Sequence, residues 1–218
     1  MYISTSILSV DEANSTKTFY NLEEAKTDYF HIDVMDGKFV ENDTNNKMLN
    51  YCNIIKQISN LPLDIHFMVN EVKQFVEEYM KFEPDIITFH YESCSSDKEV
   101  MELINFIKEN NVKVGLSIKP NTPIEKIYKF LPYIYLVLVM TVEPGKGGQS
   151  LIPETLETAK RLREYIDSEK LDTYIEADGG INLNTIEDVK NAGIDIAVSG
   201  SGIIKSENYK ETIKKLKM

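Results

Sequence analysis

The 218-residue sequence has little cysteine, fewer basic than acidic residues, and no long apolar run. Its only two cysteines, Cys52 and Cys94, do not form a CxxC pair, which argues against a disulfide framework and a cysteine-based zinc site. The 24 Lys and Arg residues against 35 Asp and Glu residues give a formal charge of −11. Nucleic acid is therefore not the expected partner, because binding it requires clustered cations.

No apolar stretch approaches the roughly 18 to 20 residues that cross a bilayer. The first nine residues lack the basic region and long apolar core of a secretory signal. We therefore expect a cytoplasmic protein with no membrane partner. With 42% hydrophobic residues the chain can bury a sizeable core, and no Pro-, Gly- or Ser-rich linker divides it. We expect a single domain over residues 1–218.

Short β-branched and aromatic runs alternate with helical segments along the whole chain, which is typical of repeated βα units. The predicted strands are residues 2–9, 29–35, 63–69, 86–91, 113–118, 135–142, 174–178 and 196–200. The predicted helices are residues 11–26, 47–59, 71–82, 97–110, 123–131, 153–168, 184–192 and 206–216. Eight such units predict the α/β fold of a (β/α)8 TIM barrel. A doubly wound open sheet is the alternative, because periodicity does not show closure.

The second predicted strand carries polar residues on one face. His31, Asp33 and Met35 alternate with the apolar pair Ile32 and Val34, so the first three side chains share the face that points into a barrel. A buried imidazole and carboxylate require partners or a cation. The carboxyl ends of barrel strands are also where active sites lie.

Two further strand ends complete a candidate metal site. His66 and Met68 share the inward face of the third strand, and Asp178 ends the seventh. Together with His31 and Asp33, these residues offer nitrogen and oxygen ligands suited to Zn, Fe, Mn or Co. The alternative is a satisfied core pair and a lone structural histidine. His90 ends the fourth strand with no evident partner, and we expect a structural or supporting role for it.

Glycine-rich turns follow the last three strands and indicate a phosphate site. The residues concerned are Gly145, Lys146, Gly147, Gly148, Gly179, Gly180, Gly200 and Ser201. Backbone N–H groups would hold the anion, with Lys146 as a supplement, although each turn alone is compatible with an ordinary loop. Met35, Met68 and Met140 would form an apolar cap over the site, or be ordinary core residues. Ser6 could offer its hydroxyl to a substrate.

These motifs and their order resemble the ribulose-phosphate 3-epimerase family. The matching segments are residues 6–9, 31–37, 64–69, 140–149, 178–180 and 200–201. The resemblance implies a (β/α)8 barrel isomerase of the pentose phosphate pathway that interconverts D-ribulose 5-phosphate and D-xylulose 5-phosphate at C3. It also implies one divalent metal ion per subunit, a phosphorylated ketose as partner, and a homo-oligomer.

The resemblance also implies roles for individual residues. The metal ligands would be His31, Asp33, His66 and Asp178, and the two aspartates would be the acid and base that act through an enediolate. Ser6, His66 and Asp178 would contact the sugar, and the glycine turns would contact the phosphate.

Other readings of the sequence stay open. The chain departs from the family pattern at Thr5, Glu41 and Lys146, and D-allulose 6-phosphate is the alternative substrate on the same scaffold. Another phosphate-binding barrel, such as a decarboxylase or a synthase, would share the glycine turns without the metal ligands. A non-catalytic phosphosugar-binding barrel would bind a ligand without exchanging a proton.

Overall fold

A computed structural model describes residues 1–218, in which eight parallel strands close into a barrel. The strands are β1 (Tyr2–Ser6), β2 (Tyr29–Met35), β3 (Leu63–Met68), β4 (Ile86–His90), β5 (Lys113–Ile118), β6 (Leu136–Met140), β7 (Tyr174–Asp178) and β8 (Ile196–Val198). Each strand pairs with the next, and β8 pairs with β1, so that Ile3 lies opposite Ala197. The predicted (β/α)8 barrel is confirmed, and the open sheet is excluded.

Eight helices accompany the barrel. They are α1 (Ser15–Glu24), α2 (Asn45–Ile58), α3 (Val72–Tyr79), α4 (Asp97–Glu109), α5 (Glu154–Glu169), α6 (Ile186–Asn191), α7 (Ser201–Ile204) and α8 (Tyr209–Lys217). The outward side chains of the strands pack against them; Phe30 of β2, for example, meets Phe19 of α1, which in turn meets Tyr51 of α2. This burial explains why alternate strand residues are apolar. No helix combines the length and the apolar character needed to cross a membrane.

The interior of the barrel has an apolar part and a polar part. Leu136 and Leu138 of β6 join Ile86 of β4 and Ile196 of β8 in a small apolar cluster. By contrast, β1, β3 and β7 bring fully buried polar side chains inside, namely Ser4, Asp64 and Glu176. Alternate strands of a barrel contribute to different interior layers. The polar side chains therefore collect beneath the carboxyl ends of β2, β3 and β7.

The fifth predicted helix, residues 123–131, is wrong. The segment forms two 3₁₀ helices, Ile124–Lys126 and Tyr128–Tyr133, and the second contains Pro132. Proline lacks the N–H that an α-helix interior requires and disfavours the helical conformation of the residue before it. The apolar spacing of the segment is satisfied by 3₁₀ turns instead, and Phe130 and Leu131 are buried.

Element ends differ from the prediction by a few residues. β1, β6 and β8 are shorter than predicted, and the four-residue helix α7 was not predicted. The cap of α4 is Ser96, whose hydroxyl accepts from the Glu99 N–H. The helix predicted from residue 184, α6, begins at Ile186. Gly193, with φ of 79°, follows this helix in the left-handed conformation.

Candidate metal centre and adjoining cleft

Four side chains converge at the carboxyl end of the barrel. His31, Asp33, His66 and Asp178 each place one ligand atom within 4.8 Å of the other three. Asp33 Oδ1 lies 3.4 Å from both His31 Nε2 and His66 Nδ1. Asp178 Oδ2 lies 3.8 Å from His66 Nδ1. The register of the sheet produces this convergence, because Asp33 of β2 lies directly opposite His66 of β3.

The atoms that face the centre of this group suit a divalent cation. His31 Nε2 and His66 Nδ1 are buried and have no hydrogen-bond partner. A buried polar atom without a partner is destabilising by about 1–3 kcal/mol, and a metal ion would satisfy both lone pairs. Two imidazole nitrogens and two carboxylate oxygens are ligands that zinc, iron, manganese and cobalt accept. The buried group could therefore hold such an ion.

His31 is oriented from behind by a carboxylate. Its Nδ1 donates to Asp64 Oδ2 at 2.6 Å, which directs Nε2 at the centre. The same oxygen of Asp64 accepts the hydroxyl of Ser4 at 2.8 Å. Burial opposes a charge on His31, but the carboxylates of Asp64 and Asp33 outweigh it and raise the pKa of this histidine. Ligand histidines are commonly held in this way by a carboxylate.

Glu176 lies beneath this pair. It is fully buried, and both of its carboxyl oxygens lack a hydrogen-bond partner. Burial and the charge of Asp64 raise the pKa of Glu176 well above its usual value. This shift favours the protonated form of Glu176 beside Asp64.

His66 is backed by another histidine. Its Nε2 lies 2.9 Å from Nε2 of His90, and Nδ1 of His90 lies 3.2 Å from Glu92 Oε2. The sequence shows no evident partner for His90, and the structure places it in contact with both His66 and Glu92. Burial lowers the pKa of His90 to about 4, so its ring is neutral. Burial opposes ionisation of Glu92, but hydrogen bonds from His90 and Thr122 outweigh it and lower the pKa of Glu92 to about 2.

The two aspartates have different electrostatic environments. Burial opposes the charge on Asp33, but His31 and His66 outweigh it and lower the pKa of Asp33. Its Oδ2 also accepts the hydroxyl of Ser6 at 2.6 Å. Burial and the charge of Asp33 raise the pKa of Asp178 to about 6. Asp33 is therefore the more readily ionised of the two aspartates, and Asp178 retains a proton more readily.

A cleft of about 320 Å³ opens above the two aspartates. The predicted site residues that line it are Ser6, Asp33, Met35, Met68, Met140, Gly145, Lys146, Gly147, Gly148, Asp178, Gly179, Gly180, Gly200 and Ser201. His31 and His66 do not line it, because both are fully buried. Lys205, which sequence reasoning missed, also lines the cleft.

Two of the glycines that line the cleft are required by close packing. Gly179 has φ of 122°, and a Cβ there would lie 2.4 Å from a methyl group of Val142. Gly180 has φ of 68°, and a Cβ there would lie 2.2 Å from the backbone nitrogen of Leu151. Only glycine is compatible with these positions. The chain after β7 thus runs close to the loop after β6 along one wall of the cleft.

Three side chains behind the site were not identified from the sequence. Asp64 has the same strand parity as His66, and Glu176 has the same parity as Asp178, so each was predictably inward-facing. This alternation along the strand was the signal that could have identified Asp64 and Glu176. For His90 the sequence indicated a supporting role but not its partner, because His66 lies on a neighbouring strand.

The fold and the cluster define a (β/α)8 barrel with a buried group of potential metal ligands beside a glycine-lined cleft. A model of the ribulose-phosphate 3 epimerase family matches residues 2–204. The chain belongs to this family, whose members are isomerases acting on carbohydrates.

Curated relatives agree with the family match over nearly the full length. The chain is 37% identical over 211 residues to a ribulose-phosphate 3-epimerase from Synechocystis sp., covering 97% of this chain and 90% of that protein. It is 38% identical over 215 residues to one from Methanocaldococcus jannaschii, covering 99% and 89%.

Among solved structures, a 3-hexulose-6-phosphate synthase superposes with a TM-score of 0.73 at 14% identity, covering 99% of this chain and 98% of that one. At this identity the likeness supports the barrel fold alone.

Proposed function

We propose that the protein interconverts D-ribulose 5-phosphate and D-xylulose 5-phosphate by inverting C3, a reaction of the pentose phosphate pathway. The observation that carries this proposal is the convergence of Asp33, Asp178, His31 and His66 within 4.8 Å at the base of one cleft. The relatives that match nearly the whole chain are named ribulose-phosphate 3-epimerases. We also propose that residues 1–218 form one domain, since Lys217 bonds Asp28 at the start of the barrel.

Inversion at a carbon beside a ketone needs two acid/base groups, because a proton leaves one face and another arrives on the opposite face. In one direction, Asp33 takes the C3 proton as the C–H bond breaks, and the electron pair forms the enediolate. Asp178 then donates its proton to the other face of C3. The pKa of Asp33 is lowered and that of Asp178 is raised to about 6, so Asp178 is the carboxyl group that holds a proton more readily. The roles exchange in the reverse direction.

The four ligand residues would hold one divalent ion, chosen from Zn, Fe, Mn and Co. Such an ion supplies Lewis-acid stabilisation of the negative charge on the substrate oxygens. The protein's own part is to direct His31 Nε2 and His66 Nδ1 at the centre of the site and to hold Asp33 through Ser6. The Ser6 hydroxyl lies 2.6 Å from Asp33 Oδ2 and reaches the cleft, where it can also contact the sugar.

The far end of the cleft suits the phosphate group. Its lining includes Gly145, Gly147, Gly148, Gly179, Gly180, Gly200 and Ser201, together with Lys146 and Lys205. Backbone N–H groups of these residues and the two ammonium groups would bind the anion. Binding energy from the phosphate can hold the reacting carbon in position. Met35, Met68 and Met140, each at most 2% exposed, form the apolar cap that keeps water from the intermediate.

The experiment that tests this function follows D-ribulose 5-phosphate and D-allulose 6-phosphate separately by NMR with metal-loaded protein. We expect xylulose 5-phosphate to form from the first, with a higher kcat/KM than the second. A higher kcat/KM for D-allulose 6-phosphate would mean that this sugar is the substrate, with the same inversion at C3. Binding of both sugars without conversion would identify a non-catalytic phosphosugar-binding barrel and refute the proposal.

Asp33→Asn and Asp178→Asn test the two acid/base roles. We expect each to lower kcat by about 100-fold or more, which is the range for loss of a general acid or base. Measuring the metal content of each variant separates loss of proton transfer from loss of the ion. If a variant keeps near-normal kcat, the substituted aspartate is not the acid or the base.

We also propose that the protein forms a homo-oligomer. Sedimentation of the purified protein tests this proposal.

A further inference from the structure

His90 is fully buried behind the metal ligands but is not one of them. Its ring lies between His66 and Glu92, with Nε2 at 2.9 Å from His66 Nε2 and Nδ1 at 3.2 Å from Glu92 Oε2. The three side chains therefore form a continuous hydrogen-bonded row from the candidate metal site toward the loop after β4. The proposed acid/base mechanism makes no use of His90 or Glu92.

The protons in this row have only one arrangement that leaves a ligand nitrogen free. Glu92 also accepts the Lys119 N–H at 2.9 Å and the Thr122 hydroxyl, so it is an ionised acceptor. His90 then donates from Nδ1 to Glu92. A free lone pair on His66 Nδ1 places the His66 proton on Nε2, so His90 Nε2, 2.9 Å away, must accept it. His66 consequently donates from Nε2, and its Nδ1, which is buried without a partner, carries a lone pair.

The position of the His90 ring is fixed on several sides. The Ser93 hydroxyl donates to the His90 carbonyl at 2.6 Å. The Phe39 ring, from the loop after β2, lies 4.9 Å from the His90 ring, and Lys119 Nζ lies 4.1 Å from the Phe39 ring centroid. The Ser93 bond holds the backbone of His90, and rotation of the His90 ring away from His66 would break its contacts with Phe39 and Glu92.

We propose that His90 and Glu92 are positioning residues that hold His66 in the tautomer whose Nδ1 binds the metal ion. The inference rests on the proposed use of the four-residue site for a metal. Partners that orient a ligand histidine commonly change metal affinity by about 10- to 100-fold when they are removed. A purely structural role for His90 would change folding stability without changing the affinity of the folded protein for the ion.

The test measures Co²⁺ affinity by competition with a chelator, together with the visible absorption spectrum of the bound ion. We expect Glu92→Gln to weaken Co²⁺ binding by about tenfold and His90→Leu by about 100-fold. His90→Gln should recover part of the affinity, because its side-chain oxygen can accept from His66. Thr88→Val is the matched control: Thr88 is fully buried on the same strand, two residues before His90, and its hydroxyl has no partner.

The outcomes separate this inference from the proposed function. If the wild-type protein binds no Co²⁺, both fail. If it binds Co²⁺ and Glu92→Gln and His90→Leu bind within twofold of it, only the positioning role is refuted. If His90→Leu does not fold, the Co²⁺ affinity of Glu92→Gln and the histidine tautomers seen by NMR test the positioning role. Imidazole ¹⁵N NMR of the Zn²⁺-loaded wild type is expected to show N–H at Nε2 of His66 and at Nδ1 of His90. A proton on Nε2 of His90 would overturn the inference.

Discussion

The two histidines of the candidate metal site are supported in different ways. His31 donates directly to a carboxylate, Asp64, at 2.6 Å, whereas His66 contacts the neutral imidazole of His90 at 2.9 Å. The negative charge on the second side, that of Glu92, lies one ring further away. A carboxylate in direct contact raises the basicity of a ligand imidazole more than a neutral ring does. The two sides of one site should therefore differ in their sensitivity to mutation.

Asp64→Asn should produce a larger effect than Glu92→Gln, the substitution that removes the corresponding charge on the other side. It keeps a side-chain oxygen that can accept from His31 but removes the negative charge, and we expect Co²⁺ affinity to fall by about 100-fold. The measurement is chelator competition, with the melting temperature of the metal-free variant as the control for folding. If Glu92→Gln weakens Co²⁺ binding more than Asp64→Asn does, His66 depends on its carboxylate more than His31 does, and the proposed difference between the two sides is wrong.

Proton release on metal binding gives a second, smaller contrast. Burial opposes the charge on His31, but Asp64 and Asp33 raise its pKa, so the metal-free protein holds a proton there that must leave when the ion binds. The apparent metal affinity should therefore increase with pH, and less steeply in Asp64→Asn, where one of the two raising charges is absent. Calorimetry in buffers of different ionisation enthalpy counts the protons. Equal release by wild type and Asp64→Asn, measured near pH 7, would contradict this account of His31.

Ser4→Ala should produce the smallest effect. The variant removes one hydroxyl from Asp64 Oδ2, at 2.8 Å, while the bond between Asp64 and His31 remains. We expect the free energy of unfolding to fall by about 1 kcal/mol. The metal affinity should change by less than the factor of about 10 that marks loss of an orienting partner. A larger loss of affinity, measured by the same competition, would place Ser4 among the residues that control the ion.

Repeated βα units predicted the barrel but left an open sheet as the alternative, and strand alternation predicted that the four candidate ligand residues share one interior. His31 and Asp33 share a face of β2, and their burial beside His66 follows from parity once the sheet is closed. The same rule applies to Asp64 and Glu176, which were not identified because alternation does not say what an inward carboxylate contacts. Those contacts depend on which layer of the interior a side chain occupies.

The pairing of His66 with His90 required the register between strands. His66 lies opposite Thr88, and His90 lies two residues further along β4. Their rings meet because neighbouring strands of a closed barrel are staggered, and hydrophobic periodicity carries no information about that stagger. The 3₁₀ helices at 124–126 and 128–133 have a local cause. Apolar spacing alone predicts an α-helix there, and Pro132 is incompatible with its continuation.

Metal dependence of proton exchange at C3 tests the central claim most directly. D-ribulose 5-phosphate is incubated in heavy water with metal-loaded protein, with protein stripped by a chelator, and with stripped protein to which Co²⁺ is restored, and deuterium at C3 is read by NMR. We predict deuterium at C3 in the loaded and restored samples and none in the stripped one. Equal deuterium uptake by the stripped protein, or conversion to xylulose 5-phosphate without any uptake, would contradict a single site in which Asp33 and Asp178 exchange protons beside a bound cation.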